Sequence, residues 1–322
     1  MGVGRCLPWP ASVAGNALTV IAGSADPRDV RRLLLTAILL SLVVMPVVCQ
    51  EQGATTVTHT LSWNTGELFV TISRPVASTG ANRPAAISRA QSAIRNDAVS
   101  TIAGVLEQLP YDSYYTMSDY LDANEDAIGR LLDAARRATP VEARASADLQ
   151  RAELTYRLDL FGDVVASLIQ HRRATSVTRV LGWVPGDEYT GVLIYAAEAL
   201  PHVDTGTDEY AEPTLFPGIY YRAPRENELH RLIEADNVDP EFLARWGVVG
   251  YTTDPYAIGF GDRIGANPLR IMAIGLFGTH PTDLVIREEH ALQLLADQSN
   301  RQLLQEGRIV VIITDPNNPS EP

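Results

Sequence analysis

The sequence predicts an α+β fold of mixed α/β elements: an export leader, then a hairpin plus long helices, then a mostly antiparallel sheet with covering helices. Three observations carry this. Ile87, Ala90, Ile94, Ala98, Ile102, Val105 and Leu109 recur every three to four residues, the spacing of one apolar helix face. Leu154, Tyr156, Leu158 and Leu160 alternate with polar residues, the two-residue period of a half-buried strand. The run Ile309–Ile313 is apolar throughout, which suits a strand covered on both faces.

The leader comes first. Arg31 and Arg32 precede an apolar stretch over 33–48, interrupted only by Thr36, Ser41 and Pro46, and a polar change follows at Gln50 and Glu51. That is the basic-then-apolar order of a cleaved export signal. A permanent span needs about 20 apolar residues, more than this stretch supplies. Valine codons can start translation in bacterial genes, so Val30 is read as the true start and 1–29 as a mis-assigned extension. The leader is therefore 1–49, with the signal peptide at about 30–49. The two cysteines are Cys6 and Cys49, so the body beyond the leader has neither a disulfide framework nor a thiol nucleophile. Cys49 stands where a lipidated cysteine would stand, yet Val47 and Val48 lack the small residue that precedes such a cysteine. Lipidation at Cys49 and ordinary cleavage after it both stay open.

Within the N-terminal α/β region, 50–180, strands at 58–63 and 68–72 flank Asn64-Thr65-Gly66, a hairpin signal with glycine available for positive φ. Asn82 offers an N-cap ahead of Pro84, and Pro110 closes the long helix. A second helix is predicted over 119–138, with Leu121, Ile128, Leu131, Leu132 and Ala135 inward and the pairs Asp126–Arg130 and Asp133–Arg137 on its wet side. The strand at 154–160 and a short helix over 163–173 complete the region. Turn residues around Pro185-Gly186-Asp187 mark a soft boundary. The C-terminal strand-rich region, 181–315, is predicted to hold strands at 190–196, 218–222, 247–252, 268–276, 283–287 and 308–314. Its helices are expected at 226–235, at 240–246 behind Asp239, and at 288–305 before Gly307, with Ala291, Leu294, Leu295 and Leu303 inward. The tail 316–322 is polar, proline-rich and predicted to be disordered.

Several short segments resemble the Lpp-twenty lipoprotein family of bacterial envelope proteins, which is related to periplasmic flagellar-assembly proteins. They are Ser62-Trp63-Asn64-Thr65-Gly66, Tyr189-Thr190-Gly191-Val192-Leu193-Ile194, Leu215-Phe216-Pro217-Gly218-Ile219-Tyr220, Asn267-Pro268-Leu269, Thr282-Asp283-Leu284-Val285-Ile286 and Arg308-Ile309-Val310-Val311-Ile312. Where such proteins carry an Asp-Ala-Arg-Gly run, this chain has Tyr195-Ala196-Ala197-Glu198. The resemblance implies an α/β envelope protein without a catalysed reaction, linked to outer membrane or flagellar assembly.

Charge and motifs bear on function directly. The 322 residues hold 26 cations, all arginine, against 39 acids, a net −13. Without the leader's four Arg and two acids the balance is 22 against 37, or −15. Nucleic acid is excluded as a partner, because that affinity needs clustered positive charge. The six histidines (His59, His171, His202, His230, His280 and His290) show no zinc-ligand spacing and are read as surface or loop residues. Glu288-Glu289-His290 is read as a helix start whose acids face the positive end of the dipole. The glycines at 259, 261 and 265 lack the strand-to-helix context of a phosphate cradle. No Gly-x-Ser-x-Gly elbow occurs.

Neither a catalytic residue nor a cofactor is therefore expected, and the chain is read as not an enzyme. Two features stand out. Asp204, Asp208, Glu209 and Glu212 form an acidic loop, read chiefly as solvated and secondarily as a cation site lacking the order of an EF-hand. Tyr111, Tyr114 and Tyr115, with Tyr120 beyond them, crowd the segment between the helices and are the candidate partner surface. The expected role is an exported, non-catalytic structural or protein-interaction component, periplasmic or outer-membrane-associated. Its partners would be other envelope proteins or itself, with membrane contact only through the leader or a lipid on Cys49. The alternatives are a periplasmic cation- or ligand-binding module and, behind it, a periplasmic enzyme.

Overall fold

The hairpin Asn64-Thr65-Gly66 turns on a glycine at φ +69° and joins β1 (Thr56–Ser62) to β2 (Glu67–Pro75). The structure is a computed structural model and describes residues 54–77, 82–180, 187–223 and 228–315. The leader, Cys49, the turn at Pro185-Gly186 and the tail 316–322 lie outside the described residues. Helix α1 (Arg83–Leu106) starts as its sequence dictates, with the Asn82 side chain accepting from the Ala85 N–H at 3.1 Å. Its buried stripe, Ala90, Ile94, Ala98, Ile102 and Val105, covers the inward residues of β2 and of β4 (Arg151–Asp159). These strands and β3 (Thr139–Ala145) form an antiparallel sheet in the order β1-β2-β4-β3.

Local hydrogen bonding breaks two of the expected helices. The segment 119–138 divides at Asn124 into α2 (Met117–Ala123) and α3 (Glu125–Arg136). Thr116 and Asp119 form a reciprocal capping box at the start of α2. Along α3 the inward residues are Ala127, Leu131, Ala134 and Ala135, while Ile128 is 46% exposed, against expectation. Asp133 pairs with Arg136, three residues on, rather than with Arg137. Near the C-terminus, 288–305 divides at Asp297 into α7 (Glu288–Ala296) and α8 (Gln298–Gln305), because the Asp297 carboxylate accepts from the Ser299 N–H at 2.7 Å and starts a new helix. Leu304, not Leu303, is fully buried there.

Other elements differ through tertiary pairing. Strand β3 was not expected, since it is exposed along nearly its whole length and has no apolar period. It is an edge strand carrying a bulge at Pro140–Glu142, and Arg144 reaches Glu153 at 2.7 Å. The helix expected over 163–173 is a π-helical turn (Leu160–Val165) running into the short α4 (Ala166–Leu168). The helix expected over 226–235 is instead strand β9 (Leu229–Ile233), paired antiparallel with β8 (Ile219–Arg222). The strand expected over 268–276 is two strands in different sheets, β11 (Leu269–Met272) and β12 (Gly275–Phe277).

Strand direction in the second half is mixed rather than mostly antiparallel. One sheet, in the order β10-β14-β5-β11, is wholly parallel; it comprises β5 (Val192–Ala196), β10 (Gly250–Thr252), β11 and β14 (Ile309–Ile313). The other, β12-β13-β8-β9, includes β13 (Asp283–Arg287) and is parallel only between β13 and β8. The physical reason is visible in β5 and β14. Their apolar runs are buried on both faces, as parallel strands require, whereas an antiparallel sheet with one wet face would alternate. One face joins the main core, and the other packs on Ala257 and Ile264 from the turn ahead of β11.

That turn is held by Arg263 on α6 (Gly261–Ile264), which is 4% exposed. It donates to the carbonyls of Gly307, Trp246 and Gly247 at 2.7, 2.7 and 3.0 Å. Burial pushes its guanidinium down to about 9, and the three carbonyls take the place of water. Helix α5 (Pro240–Trp246) falls where expected, though the Asp239 side chain makes no capping bond. The described residues form one compact unit, and its main core runs from Leu68 to Ile313. Among the described residues no helix is long and apolar enough to cross a membrane.

Candidate functional site

The tyrosine segment between α1 and α2 folds as a clamped loop. Pro110 and Thr116 close it as a β-bridge, and the Tyr111 N–H donates to the Tyr115 carbonyl at 3.0 Å. Inside it, the Asp112 carboxylate accepts from the N–H groups of Tyr114 and Tyr115, both at 2.8 Å. Aspartate favours such a turn because its short side chain reaches the backbone two and three residues on. Two loops of the second half grip it from outside. Phe216 N–H donates to the Tyr111 carbonyl at 2.9 Å, and His280 N–H to the Ser113 carbonyl at 2.8 Å.

At the base of the loop lies a buried carboxylate. Asp283, the first residue of β13, is 3% exposed. One of its oxygens accepts from the Ser113 hydroxyl at 2.8 Å and the other from the Gly218 N–H at 2.7 Å. Burial pushes its pKa up to about 6; the two hydrogen bonds oppose that rise without cancelling it. Gly278 permits the close approach of the loop: its φ is +106°, and a Cβ there would stand 2.4 Å from that of Ser113.

The loop thereby divides its rings. Tyr111 turns inward, stacks on Tyr120 at 4.1 Å and meets Phe216 at 4.8 Å. Burial, with Tyr120 beside it, holds its phenol well above the usual range. Of the three tyrosines predicted to form a surface, Tyr111 is thus a packing residue. Tyr114 and Tyr115 are 46% and 54% exposed. Tyr114 lies edge-on to Phe277 at 6.4 Å, and Phe277 in turn to Tyr220 at 5.1 Å. Burial first, then the charge of Asp283, raises the phenols of both Tyr114 and Tyr220. Beside the Tyr111–Tyr120 stack opens a cleft of about 390 Å³, lined among others by Asn124, Gln170, His171 and Asp236. Gln170 donates to the Tyr120 hydroxyl there at 2.8 Å.

The structure does not bring the acidic loop together as a ligand set. Asp208 and Glu209 are strand β7, paired with β6 (Leu200–Pro201), and Glu209 accepts from the Thr207 hydroxyl at 2.8 Å. Asp204 and Glu212 are exposed on either side. Among the described residues no three His, Cys, Asp or Glu side chains stand close enough to hold a metal ion. One histidine departs from the surface reading: His202 is 3% exposed. Sequence reasoning missed Asp283 and Ser113 as partners, which lie 170 residues apart. The only local signal was an acid at the head of an apolar strand, Asp283-Leu284-Val285-Ile286.

Two family models match the chain. Residues 54–167 match the N-terminal domain of Treponema pallidum Tp0624, and residues 191–316 match the second domain of the same protein. The first match covers the antiparallel sheet with α1–α3, the second the two sheets built from β5 onward. Neither concerns the Lpp-twenty family or flagellar assembly. No curated protein matches the chain.

Proposed function

We propose that this chain is an exported, non-catalytic component of a bacterial envelope that works by binding another protein through the Tyr114–Tyr115 surface. The observation that carries this reading is the pairing of exposure with rigidity. Two tyrosine rings stand open to solvent on a loop held from within by Asp112 and from below by the Ser113–Asp283 bond. Tyrosine suits a contact centre because it presents a large apolar ring with a wet hydroxyl and few rotatable bonds. A loop already fixed in place loses little entropy on docking. Two buried charged groups are committed to the fold: both Asp283 oxygens accept from the chain itself, and Arg263 donates to three backbone carbonyls.

Site-specific photo-crosslinking in the native host tests the proposal. A photoreactive residue at position 115 is expected to give a discrete adduct, which the Tyr114→Ala change diminishes. The same group at Ile128, exposed on α3, is the control and gives none. Equal labelling from both positions, or an adduct indifferent to Tyr114→Ala, rejects the tyrosine surface. Fractionation of the tagged chain tests export in parallel, and recovery with the cytoplasm refutes that part.

A further inference from the structure

A small cavity on the sheet β12-β13-β8-β9 has features of a built binding site. Its volume is about 290 Å³, and its walls include Pro201, His202, Val203, Arg222, Gly275 and Val285. His202 is fixed from both sides: its N–H donates to the Thr207 carbonyl and its carbonyl accepts from the Gly206 N–H, each at 2.8 Å. It also bridges to Leu276 on β12. The residue is 3% exposed, yet its buried Nδ1 has no hydrogen-bond partner among the described residues. Arg222, half-buried in the same wall, has an Nε that is likewise buried and unpartnered. Nearly all buried polar atoms in folded proteins are paired, so two orphans around one cavity call for an acceptor.

The strand register supplies a second, independent observation. Arg222 stands opposite Arg287 on β13, and Tyr220 opposite Arg231 on β9, so three arginines share one face of this sheet. Arg231 and Arg287 are engaged by Glu234 and Glu289. Arg222 appears in none of the ion pairs among the described residues. On a chain of net charge −13 this face is a local inversion, and cations with low-dielectric walls concentrate anions. Gly275 keeps the space open. Its backbone is outside the positive-φ region, so glycine is not needed there for conformation. A Cβ would enter between the Pro201 carbonyl, Val203 and Val285, at 3.0, 3.7 and 3.8 Å.

We propose that this cavity binds a compact oxyanion, the carboxylate or phosphate group of a small ligand, with His202 Nδ1–H and the Arg222 guanidinium as donors. A neutral imidazole protonated on Nδ1 suffices for its part, and the planar guanidinium matches an oxyanion geometrically. The site is separate from the tyrosine surface and stands whether or not that surface binds a partner.

The test uses the mature chain with histidine-selective NMR and thermal melts at fixed ionic strength. Inorganic phosphate and acetate are titrated separately against chloride. One histidine resonance is expected to move saturably with at least one of the two, and the melting temperature to rise with it by linkage. The responding anion identifies the source of the oxyanion. Arg222→Gln should abolish both responses, Gly275→Ala should weaken them at least tenfold, and Arg144→Gln, on β3 of the other sheet, should retain them. Parent protein in which neither anion moves any histidine overturns the proposal without recourse to a variant. So does a response that Arg222→Gln and Gly275→Ala leave intact, since the anion would then sit elsewhere.

Discussion

Asp283 ties the chain's stability to pH in a direction opposite to that of most carboxylates. Its folded-state pKa is raised from 3.8 to about 6 because burial disfavours the charged form. Below about pH 4 the carboxyl is neutral in both folded and unfolded chains and carries no penalty. Between about 4 and 6 the folded chain holds the proton that the unfolded chain has released, so stability falls as pH rises. Above about 6 the penalty is complete. At ~1.4 kcal/mol for each tenfold change in proton affinity, it amounts to about 3 kcal/mol. Asp283→Asn removes the ionisation while keeping the shape: the amide oxygen can accept from Gly218 N–H, and the amide nitrogen can donate to the Ser113 hydroxyl. Urea unfolding of parent and variant from pH 4.5 to 7.5 reads the difference. The variant is expected to gain on the parent as pH rises, by about 2 kcal/mol across this range, since about 1 kcal/mol of the penalty is already present at pH 4.5. A parent–variant difference that stays flat across this range refutes the reasoning, since Asp283 would then titrate alike in both states.

Three further outcomes follow from the same structure. Val311→Asp places a charge in a strand whose five residues are all buried and whose neighbours, β10 and β5, pair on both sides; a loss of several kcal/mol is expected, and a parent-like thermal melt contradicts the buried position. Gly278→Ala forces a residue with a side chain into φ +106° and against Ser113; the backbone strain alone costs about 1–3 kcal/mol, and partner crosslinking from position 115 should fall as the loop shifts, while an unchanged melt and unchanged crosslinking would exclude the strain. Mass spectrometry of the chain from its host should find an N-terminus at about Gln50 or a lipid-bearing Cys49, whereas a product retaining residues 33–48 means that the segment is not cleaved.

The elements legible in the sequence are those whose stabilising contacts lie within a few residues or along one regular stripe. Asn82 ahead of Pro84, the glycine at position 66 and the spacing from Ala90 to Val105 each specify a local geometry that the fold adopts. Misreadings arose where a distant partner decides. The segment 229–233 has enough apolar residues for a helix turn, yet it lies against Tyr220–Arg222 and completes a sheet. Strand direction was also beyond reach. An apolar run such as Ile309–Ile313 announces burial on two faces, but the identity of its neighbours depends on Val192 and Gly250, more than fifty residues away in each case. A short Asx-type bond was enough to overrule apolar continuity at Asp297, since a local hydrogen bond satisfies the orphan N–H groups of a new helix start.

The candidate site was legible in its composition and hidden in its division of labour. Clustered tyrosines single out one loop, but nothing in Tyr111-Asp112-Ser113-Tyr114-Tyr115 says which ring turns inward. The structure settles that through Tyr120 and Phe216, which take Tyr111 into a stack and leave Tyr114 and Tyr115 in solvent. The acidic loop shows the converse. Its carboxylates are close in sequence, but strand pairing at Asp208–Glu209 and the Thr207–Glu209 bond spend part of the set on structure. Proximity along the chain therefore overstated the acidic loop. It also missed His202 and Arg222, which are brought to one cavity wall only by the packing of a loop onto β12 and by the register of β8 beside β13. Chemistry built by register leaves no motif, because the residues that form it are set by the partners of their strands and not by their spacing.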